Sequence, residues 1–172
     1  MFTDTHCHIL KEYYENIDDI INNAKNVGIN RVINNGCDNK SNKEVLELID
    51  KYPNMYGAIG IHPENVETYT EDDIKYIEDN LKKPKIVAIG EIGLDYHYTK
   101  DNKEKQINLF ERQLKLAEKH HIPVIIHSRE ATEDTINCLK KYNITGVIHS
   151  FSGSLETAKI YIKMGFILGI NG

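Results

Sequence analysis

The residues best suited to chemistry stand at the start of this chain, where Asp4, His6 and His8 alternate with Thr5 and Cys7. Alternate residues of a β-strand point to the same face, so this spacing predicts that the three side chains lie together. Two imidazoles placed this way can bind one metal ion, and a nearby carboxylate can orient a ring through its second nitrogen. An isolated His-x-His could equally belong to a solvated N-terminus, so the prediction depends on the other strand ends.

The bulk composition is that of an ordinary globular chain. Its 172 residues are 40% hydrophobic and 27% charged, enough for one domain with a core, which we expect to cover residues 1–172. The net charge of −5 argues against binding duplex nucleic acid by bulk charge, although a nuclease could take positive charge from metals. Three cysteines without regular spacing predict no disulfide framework and fit a reducing cytoplasm. We expect neither a signal peptide nor a membrane span.

Short β-branched runs alternate with segments of helical periodicity. The predicted strands cover residues 1–5, 31–34, 56–61, 86–90, 124–127, 146–149 and 166–170. The predicted helices lie near residues 17–27, 45–52, 70–81, 103–121, 136–139 and 155–162, and Ser41 with Glu44 predicts a capping box for the second. This alternation is typical of a parallel sheet buried on both faces, either an eight-stranded barrel or an open doubly wound sheet.

Side chains able to bind metal recur at the carboxyl ends of these strands, where a parallel barrel carries its active site. Five of the seven strand ends supply a His or a carboxylate, at His6 and His8, His62, Glu91 and Asp95, His127, and His149. Taken singly, Glu91 could belong to a buried ion pair, and His127 or His149 could be a satisfied core histidine. Their joint placement favours a metal centre in which Glu91 bridges two ions. His97, His120 and His121 fall outside these ends and are predicted to be ordinary surface or loop groups.

Six motifs together resemble the TatD-type metal-dependent hydrolases, within the amidohydrolase-like barrels. They are Asp4-x-His6-x-His8, Gly60-x-His62-Pro63, Gly90-Glu91-x-Gly93-Leu94-Asp95-Tyr96, a helix with Gln106, Phe110, Gln113 and Leu114, His127-Ser128-Arg129, and His149-Ser150-Phe151-Ser152-Gly153. Each motif is weak alone, but the set spans the chain in order and is specific. The resemblance implies a TIM-type (β/α)8 barrel, a divalent metal pair and hydrolysis of ester bonds, usually the phosphodiesters of DNA, with 3′–5′ exonuclease action in some members.

Carried over by position, the resemblance implies a role for each predicted ligand. His6 and His8 would bind the first metal, His127 and His149 would bind the second, and Glu91 would bridge both. The two divalent ions could be Zn, Mn, Mg, Ni or Fe.

Three further residues are expected to act beside the metals. The resemblance implies that His62 and Asp95 contact the substrate or support the ligands. Arg129 could pair with a substrate phosphate, because its planar fork suits that geometry. The expected substrate is DNA, single-stranded or at 3′ ends.

One part of the family pattern has no counterpart among the predicted strands of this chain: an eighth strand that ends in a metal-binding Asp. The predicted seventh strand already reaches the end of the chain at Ile170-Asn171-Gly172. We therefore expect a barrel truncated after about seven strands, without the C-terminal strand and closing helices, and with two unpaired edges. Two alternatives stay open: a cyclic amidase or deaminase, in which a modified Lys often bridges the metals, and an inactive barrel that acts only by binding or by self-association through its open edge.

Overall fold

Strands and helices alternate throughout the computed structural model, which describes residues 2–98 and 100–171. The strands are β1 (Phe2–Cys7), β2 (Ile29–Asn35), β3 (Met55–Ile59), β4 (Ile86–Asp95), β5 (Val124–Arg129), β6 (Gly146–Ile148) and β7 (Phe166–Leu168). The helices are α1 (Ile17–Asn26), α2 (Asn39–Lys51), α3 (Glu71–Asn80), α4 (Lys103–His120), α5 (Thr132–Leu139) and α6 (Leu155–Lys163). The first predicted strand includes Met1, which lies outside the described residues.

All seven strands pair in parallel and follow one another across the sheet in chain order. A doubly wound sheet would reverse its strand order at a switch point, so this topology is that of a β/α barrel, here a curled half-barrel. The predicted TIM-type α/β architecture is confirmed. Among the described strands, β1 and β7 form the two edges of the sheet.

The predicted capping box at Ser41 and Glu44 is wrong. Asp38 caps α2: its carboxylate accepts from the backbone N–H of Ser41 at 2.8 Å, and the Ser41 hydroxyl accepts from the N–H of Asp38 at 3.0 Å. Glu44 instead accepts from the backbone N–H of Lys11 at 2.6 Å, in the loop after β1. The motif lies three residues earlier because Asp also caps helices and Ser can fill the reciprocal position.

Strand β4 extends five residues beyond its predicted end at Gly90 and reaches Asp95. Nearly all of its residues are buried, as expected for a central strand of a parallel sheet. Gly93 permits this extension: its φ is +146°, and a Cβ there would lie 1.9 Å from the carbonyl oxygen of His127. Only glycine lets β4 pass β5 this closely, and the extended strand carries both Glu91 and Asp95 on a rigid element.

The apolar core lies between the sheet and the inner faces of the helices. The apolar residues at helical spacing in α2, α3 and α4 are buried at Val45, Leu48, Ile49, Ile74, Ile77, Phe110, Leu114 and Ala117, and Ile107 of α4 is half-buried. Helix α6 differs, because Leu155 and Ile162 are exposed and only Tyr161 of that helix is buried. None of the helices in the described ranges is long and apolar enough to cross a membrane.

Candidate metal centre

Glu91 lies at the centre of a cluster of imidazoles, and only 3% of its surface is exposed. Its Oε2 lies 3.0 Å from Nε2 of His6 and 3.0 Å from Nε2 of His8. Its Oε1 lies 2.5 Å from Nε2 of His149 and 3.0 Å from Nδ1 of His127. The two oxygens of one carboxylate therefore face two different histidine pairs.

The parallel sheet brings these side chains together from distant parts of the chain. His6 lies on β1 and His8 just beyond it, Glu91 and His127 lie on the central strands β4 and β5, and His149 follows β6. In chain order these strand ends are separated by whole helices, but the sheet places them side by side at one end. The structure thus brings together all five residues that the sequence analysis selected as ligands.

His62 also faces this cluster, and its tautomer fits a donor better than a metal ligand. Its Nδ1 accepts from the backbone N–H of Glu64 at 3.3 Å, so in the neutral ring Nε2 carries the proton. That nitrogen lies 3.7 Å from Oε1 of Glu91. Burial lowers the pKa of His62 to about 4, which keeps the ring neutral at physiological pH. By distance alone, the donor atoms of His62, Glu91 and His127 would also suit one ion.

Asp95 orients the ring of His127. Its Oδ2 lies 2.8 Å from Nε2 of His127, which turns Nδ1 of that ring toward Glu91. Burial opposes protonation of His127, but the neighbouring carboxylates of Glu91 and Asp95 outweigh it and raise the pKa. A carboxylate behind a histidine is the usual support for a metal-binding imidazole.

The corresponding support for His8 is a backbone carbonyl. Nδ1 of His8 lies 2.9 Å from the carbonyl oxygen of Asn35, at the end of β2. Asp4, which the spacing placed on the same face as His6 and His8, instead accepts from the backbone N–H of His6 at 3.0 Å. The Asp4 carboxylate therefore stabilises the backbone at the end of β1, and the hydrogen bond is not to an imidazole ring.

Buried amide side chains hold the backbone beside the ligands. Each of four amides makes two hydrogen bonds, through its oxygen and its nitrogen, to the N–H and C=O of one residue. The pairs are Asn34 with Ile9, Asn42 with Gly60, Gln113 with Ile61, and Gln106 with Asp95. These bonds fix the backbone next to His8, next to His62 and at Asp95 itself. The sequence analysis missed Asn34 and Asn42. For Asn34, a polar residue at the end of an apolar strand was a usable signal, whereas Asn42 lies on α2 and had no such signal.

The electrostatics of the cluster fit a divalent cation. Burial opposes ionisation of Glu91, but hydrogen bonds from His127 and His149 outweigh it and hold its pKa well below its usual range. Among the described residues, the buried Nε2 of His6 has no partner besides this carboxylate, which it contacts at 3.0 Å. Nδ1 of His149 makes no hydrogen bond either, but the nitrogen of that ring that faces Glu91 is Nε2. Four imidazole nitrogens around an ionised carboxylate form a donor set that suits Zn, Mn, Fe or Ni.

A cavity of about 300 Å³ opens above these groups. Arg129, the predicted phosphate partner, lines it, and its guanidinium lies 5.2 Å from the ring centroid of Tyr98. Tyr13 lines the same cavity from the loop after β1.

The histidines predicted to be ordinary groups lie elsewhere. His97 pairs with Glu130 at 2.7 Å and His120 pairs with Glu78 at 2.9 Å. His121 forms the left-handed C-cap of α4.

Comparison with known proteins gives a consistent family. The sequence model described as "TatD related DNase" matches residues 3–172. The chain is 38% identical over 176 residues to the "Uncharacterized metal-dependent hydrolase YabD" of Bacillus subtilis, covering all of this chain and 69% of that protein. It is 29% identical to the "3'-5' ssDNA/RNA exonuclease TatD" of Escherichia fergusonii, covering 94% of this chain and 63% of that protein.

The fold agrees with a solved structure. The crystal structure of YjjV, a TatD homologue from Escherichia coli K12, superposes with a TM-score of 0.89 at 31% identity. The match covers 97% of this chain and 66% of that one, so the chain spans about two thirds of the length of its relatives. The chain belongs to the TatD-related DNase family of metal-dependent hydrolases.

Proposed function

We propose that this centre binds two divalent ions and hydrolyses phosphodiester bonds, with DNA as the main substrate. The proposal rests mainly on the placement of the Glu91 carboxylate between two histidine pairs. Its Oε2 faces His6 and His8, and its Oε1 faces His127 and His149. A carboxylate placed this way can bridge two ions by giving one oxygen to each set of ligands.

The proposed roles follow from these contacts. His6 and His8 would hold one ion, His127 and His149 the other, and Glu91 would lie between them. When bound, the ions would lower the pKa of a water molecule and offset charge on the reacting phosphorus.

Three other side chains would serve the substrate and the ligands. Asp95 keeps the ring of His127 turned toward the centre. His62 stays neutral and offers its Nε2–H to a phosphate oxygen. Arg129 lines the same cavity and can bind a second phosphate oxygen through its fork.

Nucleic acid is the substrate class that the relatives support. The family carries the description DNase, and one relative is named a 3′–5′ exonuclease of single-stranded DNA and RNA. A chain with a net charge of −5 gains little from bulk attraction to phosphate, so positive charge must come from the bound ions and Arg129. We extend the proposal to action at the 3′ ends of single-stranded DNA.

The test is the substitution Glu91→Ala. It should abolish release of nucleotides from single-stranded DNA and reduce metal content, because both ligand sets lose their shared carboxylate. Glu104→Ala, at an exposed position of α4, is the matched control and should keep both. Full turnover by Glu91→Ala would refute the proposal. Turnover of cyclic amides with none of DNA would instead support the amidase alternative.

The exposed sheet edges support a second candidate, self-association of the chain. Phe2 on β1 and Ile167 on β7 are 69% and 68% exposed, and both strands lie at an edge of the described sheet. Unpaired parallel edges with apolar side chains favour pairing with a second copy. Light scattering combined with metal analysis separates the hydrolase from self-association alone. A metal-free oligomer without turnover supports self-association alone, and a metal-loaded monomer refutes self-association.

We also propose a reducing compartment, the cytoplasm. Cys7, Cys37 and Cys138 are all free thiols in the structure. Free thiols are retained where glutathione and thioredoxin keep cysteines reduced. Detection of the protein in the cytoplasmic fraction of its cells, with all three thiols open to alkylation after denaturation, tests this assignment.

A further inference from the structure

Two exposed tyrosines lie at or beside the cavity of the metal centre. The chain has 10 tyrosines, and among those that the structure describes only Tyr13, Tyr14 and Tyr98 are exposed. Of the two most exposed, Tyr13 at 62% lines the cavity above Glu91, and Tyr98 at 73% lies beside it, against the guanidinium of Arg129, which lines the same cavity. Tyr14, at 39%, lines a different cavity beside α2. Exposed rings at a catalytic cavity need an explanation that core packing does not supply.

The ring of Tyr98 is held in place while it stays open to solvent. The guanidinium of Arg129 lies 5.2 Å from its centroid, and its Nη1 lies 3.5 Å from the Tyr98 hydroxyl. The imidazole of His97 contacts the ring at 4.8 Å in an edge-on geometry, and His97 is itself paired with Glu130 at 2.7 Å. The ring is therefore oriented before any ligand arrives, which lowers the entropic cost of stacking on it.

Tyr13 is placed by two ion pairs that tie its loop to α2. Lys11 pairs with Glu47 at 3.1 Å, and Glu12 pairs with Lys40 at 2.8 Å. Tyr13 follows these two residues directly and lines the cavity. The loops that carry Tyr13 and Tyr98 follow β1 and β4, so the rings approach the centre from separated parts of the sheet.

We propose that Tyr13 and Tyr98 are stacking platforms for unpaired bases on the two sides of the phosphodiester at the metal centre. This inference rests on the proposed function and names the feature that selects single-stranded nucleic acid. Every base presents a flat π-face to an exposed tyrosine, so such platforms bind single strands with little sequence preference. Bases within a duplex are stacked on one another and are not available to these rings.

Because the chain is acidic, contacts with bases should contribute more to nucleic-acid binding than contacts with phosphates. Its net charge is −5, and Arg129 is the arginine that lines the centre. Glu64, which lines the cavity, repels a phosphate backbone. Few phosphates can then be neutralised by side chains, and we expect the logarithm of Kd to rise with the logarithm of salt concentration with a slope below about 2.

The experiment measures stacking directly with a fluorescent base. The probe is a short phosphorothioate oligodeoxynucleotide with 2-aminopurine at successive positions, titrated with the chain loaded with Zn²⁺. Stacking on tyrosine quenches this base. Tyr13→Ala and Tyr98→Ala should each weaken binding about tenfold and restore the emission at one position. The corresponding Phe variants should bind as the native chain does, because the ring is kept, and Tyr14→Ala is the matched control.

The outcomes separate this inference from the proposed function. Hydrolysis of methyl p-nitrophenyl phosphate, which has no base, by the native chain tests the chemistry alone. If that diester is cleaved but both Ala variants bind the oligonucleotide like the native chain, the platforms are refuted and the proposed function stands. If the oligonucleotide is bound and quenched but neither diester nor DNA is cleaved, the platforms stand and the proposed function fails. Absence of both binding and cleavage refutes both.

Discussion

Nε2 of His127 lies 2.8 Å from Oδ2 of Asp95, and this contact decides which ring nitrogen faces Glu91. The two residues lie on the neighbouring strands β4 and β5, two register positions apart: His127 pairs with Gly93, and Asp95 pairs with Arg129. Because Asp95 is itself held by Gln106 at both its N–H and its C=O, the carboxylate has little freedom to follow a ring that moves. The orientation of the His127 ring is therefore fixed by Asp95 on the neighbouring strand, on the side of the ring away from Glu91.

The substitution Asp95→Asn should weaken metal binding without removing a proposed ligand. The amide keeps the size of the carboxylate but loses the charge that supports His127, and such changes cost about 10- to 100-fold in metal affinity. Competition with a chromophoric zinc chelator measures the change. Asp72→Asn, at an exposed position of α3, is the control and should leave the affinity as it is. Unchanged affinity in Asp95→Asn would show that the contact is only structural.

Substitutions on the two sides of Glu91 should remove different ions. His8→Ala removes the imidazole nitrogen next to Oε2 of Glu91, and His149→Ala removes the imidazole nitrogen next to Oε1 of Glu91. Each variant should fall from about two bound ions per chain to about one, and Co²⁺ spectra of the two should differ because the remaining sites differ. His120→Ala, far from the centre and paired with Glu78, is the control. Loss of both ions from each variant would indicate one shared site.

The substitution Gln113→Leu should lower the free energy of unfolding by about 2 to 6 kcal/mol. Gln113 is fully buried, and its oxygen and nitrogen bond the N–H and C=O of Ile61 at 2.8 Å and 3.0 Å. Leucine leaves both backbone groups buried without partners, at about 1–3 kcal/mol each. Urea unfolding followed by circular dichroism measures the loss. Lys115→Leu, exposed on the same helix, should change stability by less than about 0.5 kcal/mol.

Cys138 should make the stability of the chain fall at high pH. Burial raises the pKa of its thiol from 9.0 to about 12, and the residue is only 3% exposed. The thiol therefore loses its proton at lower pH in the unfolded chain than in the folded one. Its contribution to the free energy of unfolding is complete below about pH 9 and is lost as the pH rises toward about 12. We expect a loss of about 1 kcal/mol between about pH 8 and about pH 10 that is absent in Cys138→Ala. An identical pH dependence of unfolding in both chains would contradict it.

The sequence by itself determined the fold class and the set of residues that meet at the centre. Apolar runs alternating with helical periods allow little besides a parallel β/α sheet. The metal-binding candidates lie in the carboxyl-terminal halves of its strands or just after them, at His6, His8, Glu91, His127 and His149. The reason is geometric, because parallel strands carry their ends to one edge of the sheet whatever the residues between them.

The tertiary structure alone decided the distances and the supporting contacts of these residues. The resemblance already implied that Glu91 bridges the two histidine pairs, but only the structure shows that its Oε2 faces one pair and its Oε1 the other. Only the structure shows that β4 continues five residues past its predicted end and carries Asp95. The pairing of Asp95 with His127 and the buried amides at Asn34 and Asn42 join residues far apart in the chain. Local propensity indicates roughly where a strand lies, but the hydrogen bonds of a site form between elements, and packing across the sheet sets their distances.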